Sequence, residues 1–136
     1  MKNGKDIVKI LIVISIGILI LNLVGSFNAK IKIASNRLNV EEYDKYRVIL
    51  ASLMTLFGAL IEWRNIVEIF TKGFCFRLSF FIIAILLILF PMIPWDIMLS
   101  IFKFKADTYL SSYVSTAISI LGGILLVRSF RKCENE

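Results

Sequence analysis

Four long blocks of apolar residues dominate the sequence, and none of them contains Asp, Glu, Lys, Arg or His. Hydrophobic residues make up 58% of the 136 positions, whereas an ordinary soluble domain has about 45 to 50%. A soluble chain would alternate apolar with polar residues to cover its outside. The pattern therefore predicts an integral membrane protein forming a single domain over residues 1–136. The four blocks are residues 10–27, 48–61, 78–95 and 109–127.

Each block is predicted to form a transmembrane helix, because a bilayer core about 30 Å thick needs roughly 17 to 25 helical residues. The second block is short, and we extend the span to residues 48–63, since Tyr46 and Trp63 flank it as interfacial aromatic residues. Arg47, Glu62 and Arg64 are expected to reach outward to the headgroups. The predicted fold class is an all-α membrane protein with four transmembrane helices in an antiparallel bundle, in which helix two extends beyond the bilayer.

The first block also resembles a secretory signal, because Lys2, Lys5 and Lys9 precede its apolar run. Two features favour an anchor that stays in the protein. No A-x-A-like cleavage pattern follows Val24, although Ser26 would be a tolerable cut site, and the apolar run is long for a signal. We therefore interpret this block as the first transmembrane helix.

Helix two has start and stop signals in the sequence. Asn39 followed three residues later by Glu42 fits a capping box, so the helix is expected to begin at Val40. Gly73 after Lys72 predicts its end, because glycine favours the left-handed stop of a helix. A helix of that length would be about 50 Å long. Its first turns are expected to be a solvated end, with a partner-binding stalk as the alternative.

The third span is bounded by a short connection and by prolines. Only residues 74–77 separate Gly73 from the span, which predicts a tight antiparallel hairpin of spans two and three. Pro91 and Pro94 lie at the other boundary. Because proline lacks an N–H group and clashes with the preceding turn, Pro91 is expected to kink or end the helix.

Two segments outside the spans have ambiguous patterns. Apolar positions within residues 97–102 share a helical face, which favours a short interfacial helix capped by Asp96. Residues 102–105 instead alternate with strand period, and residues 30–33 alternate in the same way on the same side of the predicted membrane. Pairing of these two alternating segments as a small sheet is the alternative interpretation.

Small residues predict which helices pack together, because helices in lipid associate where their backbones approach closely. Spans two and four carry matching small residues at helical spacing, whereas span three is bulkier and is expected to face lipid. Serine and threonine side chains lining a polar pathway are the alternative interpretation. The predicted helix-packing residues are Ala51, Thr55, Gly58, Ala59, Ser112, Ser115, Thr116, Ser119 and Gly123.

The residue types of common catalytic and metal sites are scarce. Histidine, the usual general base and the commonest metal ligand, does not occur. Cys75 and Cys133 form no C-x-x-C pair, and no glycine-rich loop has the spacing of a phosphate cradle. Glu62 is the charge nearest to mid-span, but it stands beside Arg64, where we expect an interfacial ion pair rather than a proton relay. The chain is therefore expected to be no enzyme and to use no metal or cofactor.

Charge determines the expected partners and orientation. The net charge of +6 comes from cations that flank apolar spans, which suits anionic lipid headgroups and not nucleic acid. Nine Lys and Arg residues lie on the side of the two termini, against seven on the other side. The positive-inside rule therefore predicts that both termini are cytoplasmic.

The expected function follows from these exclusions. The sequence predicts a small multi-pass protein of the cell membrane that binds lipid, a membrane protein partner or a second copy of itself, as an accessory or immunity-like protein would. An oligomeric pore or small transporter is the alternative, because span four has a hydrophilic face.

Overall fold

The computed structural model describes residues 2–72, 75–94, 97, 100 and 112–131, and almost all of them are helical. A 3-10 turn, Phe90–Met92, follows the fourth helix, and two short strands, β1 (Cys75–Phe76) and β2 (Phe130–Arg131), pair antiparallel. The predicted all-α class is confirmed for these residues. The helices are α1 (Lys2–Asn36), α2 (Val40–Ile61), α3 (Trp63–Lys72), α4 (Leu78–Leu89) and α5 (Ser112–Ser129).

Asn39 takes part in both ends of the turn that joins α1 to α2. Its backbone N–H donates to the carbonyl of Ala34, and the N–H of Leu38 donates to that of Ser35, both at 3.1 Å, which is the bonding pattern of a Schellman motif. The side chain of Asn39 accepts a hydrogen bond of 3.2 Å from the backbone N–H of Glu42 and caps α2. The predicted start of helix two, directly after Asn39, is therefore confirmed.

The prediction of one continuous helix from residue 40 to about residue 72 is wrong. α2 ends at Ile61, and the next helix leaves it at an angle of 67°. No glycine or proline marks this point. The break lies at Glu62, whose carboxylate forms an ion pair with Arg128 of α5. We attribute the break to this contact, because it holds Glu62 against another helix.

α5 lies between α2 and α4 and packs against both, whereas α1 packs mainly against α2. α2 and α4 barely touch each other. The predicted tight hairpin of spans two and three is therefore wrong, because α5 occupies the place that the hairpin would need. The resulting spatial order of the long helices is α1, α2, α5, α4.

The end of the third predicted span agrees with the sequence, whereas the alternative interpretation of a small sheet does not agree with the structure. α4 stops at Leu89, and Pro91 lies in the 3-10 turn that follows, as expected for proline. Residues 30–33 lie within α1, so their proposed pairing with residues 102–105 is wrong. Residues 102–105 and Asp96 are outside the described residues.

Most apolar side chains of α1 point away from the rest of the protein. A small core forms where α1 meets α2, while Ile10 and Leu19 are 58% and 60% exposed. The segment Ile7–Asn36 is long and apolar enough to cross a membrane, and α2 with α3 is a second such segment if the bent pair is one span. The apolar stretches Leu78–Met92 and Val114–Ser129 are shorter. The core residues are Ile20, Val24, Leu50 and Met54.

Candidate functional site

Two glycines bring the backbones of α2 and α5 together. A Cβ atom on Gly58 would lie closer than 3.0 Å to the carbonyl oxygen of Ile120. A Cβ atom on Gly123 would lie equally close to the carbonyl oxygen of Thr55, and 2.9 Å from the backbone nitrogen of Ala59. Because real Cβ atoms essentially never approach backbone so closely, only glycine fits at these two positions with the helices where they are.

The other predicted packing residues lie along the same two helices. Ala51 is buried and Ser119 is fully buried. The hydroxyl groups of Thr55 and Ser119 donate to the carbonyls of Ala51 and Ser115, one turn earlier in their own helices, at 2.9 Å each. The importance of this set for stability stays a prediction, and the side chain of Ser112 lies outside the described residues. The predicted packing residues that are half-buried are Thr55, Ala59, Ser115 and Thr116.

Gly122, which is not among the predicted packing residues, has a corresponding role toward α4. A Cβ atom on Gly122 would lie 2.8 Å from Cγ1 of Ile88 and 3.5 Å from the carbonyl oxygen of Ala84. Ala84 itself is fully buried. Adjacent glycines point to different faces of a helix, so Gly122 and Gly123 allow α5 to approach a helix on each side. The Gly-Gly pair in the sequence was the signal that could have indicated this.

Glu62 is the centre of a polar cluster at the α2–α3 break. Oε1 of Glu62 accepts a hydrogen bond of 2.7 Å from Nε of Arg128 and lies 2.6 Å from Nη2 of the same guanidinium, and Oε2 accepts a hydrogen bond from the side-chain amide of Asn65. The Glu62 side chain is 12% exposed. The expectation that it pairs with Arg64 is wrong, because the guanidinium of α5 occupies the carboxylate instead.

Arg47 forms a second polar cluster, and the expectation that it reaches outward is wrong. Its side chain is 8% exposed and lies 3.9 Å from the carboxylate of Asp44. Its Nη2 donates to the carbonyl of Ile93, just after the 3-10 turn. Helix ends leave carbonyl groups without backbone donors, and Arg47 supplies a donor there. Its Nε and Nη1 have no hydrogen-bond partner within the described chain.

The two clusters mark opposite ends of a charge-free stretch of α2. Arg47 and Glu62 are separated by residues 48–61, which carry no charge. At 1.5 Å per residue, the two charged residues are about 22 Å apart along the helix. Glu62 ties that end of α2 to the last turns of α5, whereas Arg47 ties the other end to the segment after α4.

A groove of about 580 Å³ lies beside the bend, between the N-terminal part of α1 and the α2–α3 junction. Its wall is mostly aliphatic, and its polar lining residues are Lys9, Arg64 and Glu68 with Trp63 beside them. No local sequence pattern predicts this groove, because its residues come from residues 9–14 of α1 and, far along the chain, from residues 60–68 at the α2–α3 junction.

In the part of the chain that the structure describes, no three carboxylate or thiol side chains come close enough to bind a metal ion. The expectation that the protein uses no cofactor stays a prediction. No protein-family model, curated protein or solved structure matches this chain.

Proposed function

We propose that this chain is a small multi-pass protein of the cell membrane that performs no catalysis and acts by binding a protein or lipid partner, as an accessory or immunity-like protein does. The observation that carries the proposal is the apolar outer surface. Large aliphatic side chains are more than half exposed along α1, including Ile10, Ile18 and Leu19, and on α4 Leu78 and Leu86 are similarly exposed. Soluble proteins rarely expose apolar patches of this extent, and lipid would cover them.

Four membrane crossings fit the arrangement of the charged clusters. α4 and α5 have 12 and 18 residues, and even α5 is only about 27 Å long. A helix shorter than the hydrocarbon core is accommodated by local thinning of the bilayer or by long charged side chains at its ends. Arg47 and Glu62, at the two ends of the charge-free stretch of α2, would then lie near the two headgroup regions.

Binding is favoured over chemistry because the polar side chains at the contact of α2 with α5 are occupied by other groups of the protein. The carboxylate of Glu62 is held by Arg128 and Asn65, and the hydroxyl of Ser119 is buried and bonded within its own helix. The same burial of Ser119 argues against a water-filled pathway through a single copy. A pore formed by several copies would have to be lined by a surface other than the one around Ser119.

Two experiments test the proposal. Membranes containing the protein are washed with alkaline carbonate, and we expect the protein to remain in the membrane pellet, whereas release into the supernatant would contradict membrane insertion. The protein is then purified in a mild detergent, and co-purifying proteins and lipids are identified. Gly58→Leu, which should separate α2 from α5, is the matched variant, and it should lose a partner that recognises the intact bundle.

The pore alternative has its own test. Purified protein is reconstituted into vesicles that contain a trapped fluorescent ion indicator. We expect no leakage above that of protein-free vesicles. Protein-dependent leakage that rises with protein concentration would contradict the binding function and support an oligomeric pore.

A further inference from the structure

The groove beside the α2–α3 bend has an apolar wall suited to a hydrocarbon chain. α1 contributes Ile10, Val13 and Ile14 to it, and Leu60 and Val67 come from the other side. Its volume of about 580 Å³ lies within the roughly 300 to 1,000 Å³ of typical ligand sites. The groove therefore has room for the first part of an acyl chain together with a headgroup.

Two cations line the same groove. Among the side chains that the structure describes, which do not include those of residues 2–6, Lys9 and Arg64 form no ion pair. Glu62 precedes Arg64 by two positions but pairs with Arg128 instead. Glu68 is the single carboxylate among the described lining residues. Two cations against one carboxylate give this lining a net positive charge, which favours an anionic ligand.

The lining residues also indicate the depth of the groove in a membrane. Lys9 directly precedes the first apolar block, and Trp63 is of the type enriched at membrane interfaces. α3 turns by 67° from α2, so if α2 crosses the bilayer, α3 runs closer to the membrane plane. The cations then lie at headgroup level, and the aliphatic wall continues toward the hydrocarbon core.

We propose that this groove binds a phospholipid with an anionic headgroup, an inference that rests on the proposed membrane location. Lys9 and Arg64 contact the phosphate, and one acyl chain lies along the wall formed by α1 and α2. A zwitterionic lipid binds less well, because it adds a cation where the groove already has a positive charge.

Trp63 provides a direct probe of the groove. The chain has two tryptophans, so Trp95→Phe leaves Trp63 as the only one. This variant is reconstituted into phosphatidylcholine vesicles that contain a small fraction of brominated phosphatidylglycerol or brominated phosphatidylcholine, and quenching of Trp63 fluorescence is measured. The net charge of one cation on the groove is worth about 1 kcal/mol, so we expect half-maximal quenching at an approximately fivefold lower fraction of the anionic lipid.

Two matched double variants remove the same charge from different places. Lys9→Gln/Arg64→Gln should abolish the preference for phosphatidylglycerol. Lys32→Gln/Arg37→Gln, at the far end of α1, should keep it. Equal quenching of Trp95→Phe by both lipids would overturn the proposal. So would a preference for phosphatidylglycerol that survives when Lys9→Gln/Arg64→Gln is added to Trp95→Phe.

Three outcomes separate related explanations. Inorganic phosphate that removes the preference, when sodium chloride of equal ionic strength does not, would indicate a free-anion site and overturn the lipid assignment. Absence of quenching by either lipid would mean that Trp63 lies outside the bilayer, which would overturn the proposed position of the α2–α3 bend at headgroup level and, with it, this site. Quenching without preference leaves the membrane location intact and overturns only the lipid site.

Discussion

Glu62 and Arg128, separated by 66 positions in the sequence, form an ion pair in which one carboxylate oxygen accepts a hydrogen bond of 2.7 Å from Nε and lies 2.6 Å from Nη2. The pair fixes the point where α2 ends against the last turns of α5. The Arg128 side chain is 59% exposed and that of Glu62 is 12% exposed. The interaction is therefore partly screened by solvent or headgroups.

We expect the Glu62–Arg128 pair to show a coupling free energy of up to about 1 kcal/mol, the range for exposed ion pairs. Glu62→Gln, Arg128→Gln and the double variant form a double-mutant cycle, measured by reversible unfolding in mixed detergents. High salt should lower the coupling. Arg64→Gln serves as the control, because Arg64 forms no ion pair within the described chain. Strictly additive effects in the cycle would contradict the importance of the pair.

The glycine contacts predict a graded effect of adding one methyl group. Gly58→Ala and Gly123→Ala should each lower the free energy of unfolding by about 1 to 3 kcal/mol, the cost of overpacking, because backbone atoms oppose the new Cβ. Gly122→Ala should cost less, since the side chain of Ile88 can move. The same unfolding assay measures all three variants.

Gly25→Ala is the matched control for this series. No atom lies within 4 Å of a Cβ at Gly25. Alanine is favoured over glycine in a helix by about 1 kcal/mol, so this variant should be neutral or more stable. Equal stability of Gly25→Ala, Gly58→Ala and Gly123→Ala would contradict the close contact of α2 with α5.

Some features of this fold were predictable because their causes are local. The start of α2 follows from Asn39, whose side chain binds a backbone N–H three residues away. The end of α4 near Pro91 follows from the missing N–H of proline. Small residues at helical spacing indicated α2 and α5 as packing helices, and the close approach at Gly58 and Gly123 is an interaction of the same kind.

Other features were not predictable because they depend on distant parts of the chain. The break at Glu62 has no glycine or proline, and it accompanies an ion pair with α5. The burial of Arg47 depends on the Ile93 carbonyl, which only the packing of the segment after α4 brings near. The alternation of residues 30–33 indicated a strand, but α1 continues through them and its end is set by the Schellman turn at Leu38.

The backbone conformation of Leu38 predicts that one substitution there stabilises the protein. It is 88% exposed and has a φ of 54°, the left-handed conformation that costs a side-chain-bearing residue about 1 to 2 kcal/mol. Leu38→Gly should therefore raise the free energy of unfolding by about 1 kcal/mol. Leu38→Ala keeps the Cβ atom and should gain little, which separates backbone strain from loss of an exposed apolar side chain. A gain of the same size for Ala and Gly would argue against the strained turn.

Four membrane crossings are the central claim, and thiol labelling in intact cells tests it most directly. Single-cysteine variants are made in a Cys75→Ser/Cys133→Ser background by adding Leu38→Cys in the α1–α2 turn, by adding Asp107→Cys between the third and fourth predicted spans, or by restoring either Cys75, between the second and third predicted spans, or Cys133. A membrane-impermeant maleimide should label Leu38→Cys and Asp107→Cys in intact cells, and should label Cys75 and Cys133 only after permeabilisation. Labelling of Leu38→Cys from the same side as Cys75 or Cys133, or of Leu38→Cys and Asp107→Cys from different sides, would contradict four crossings.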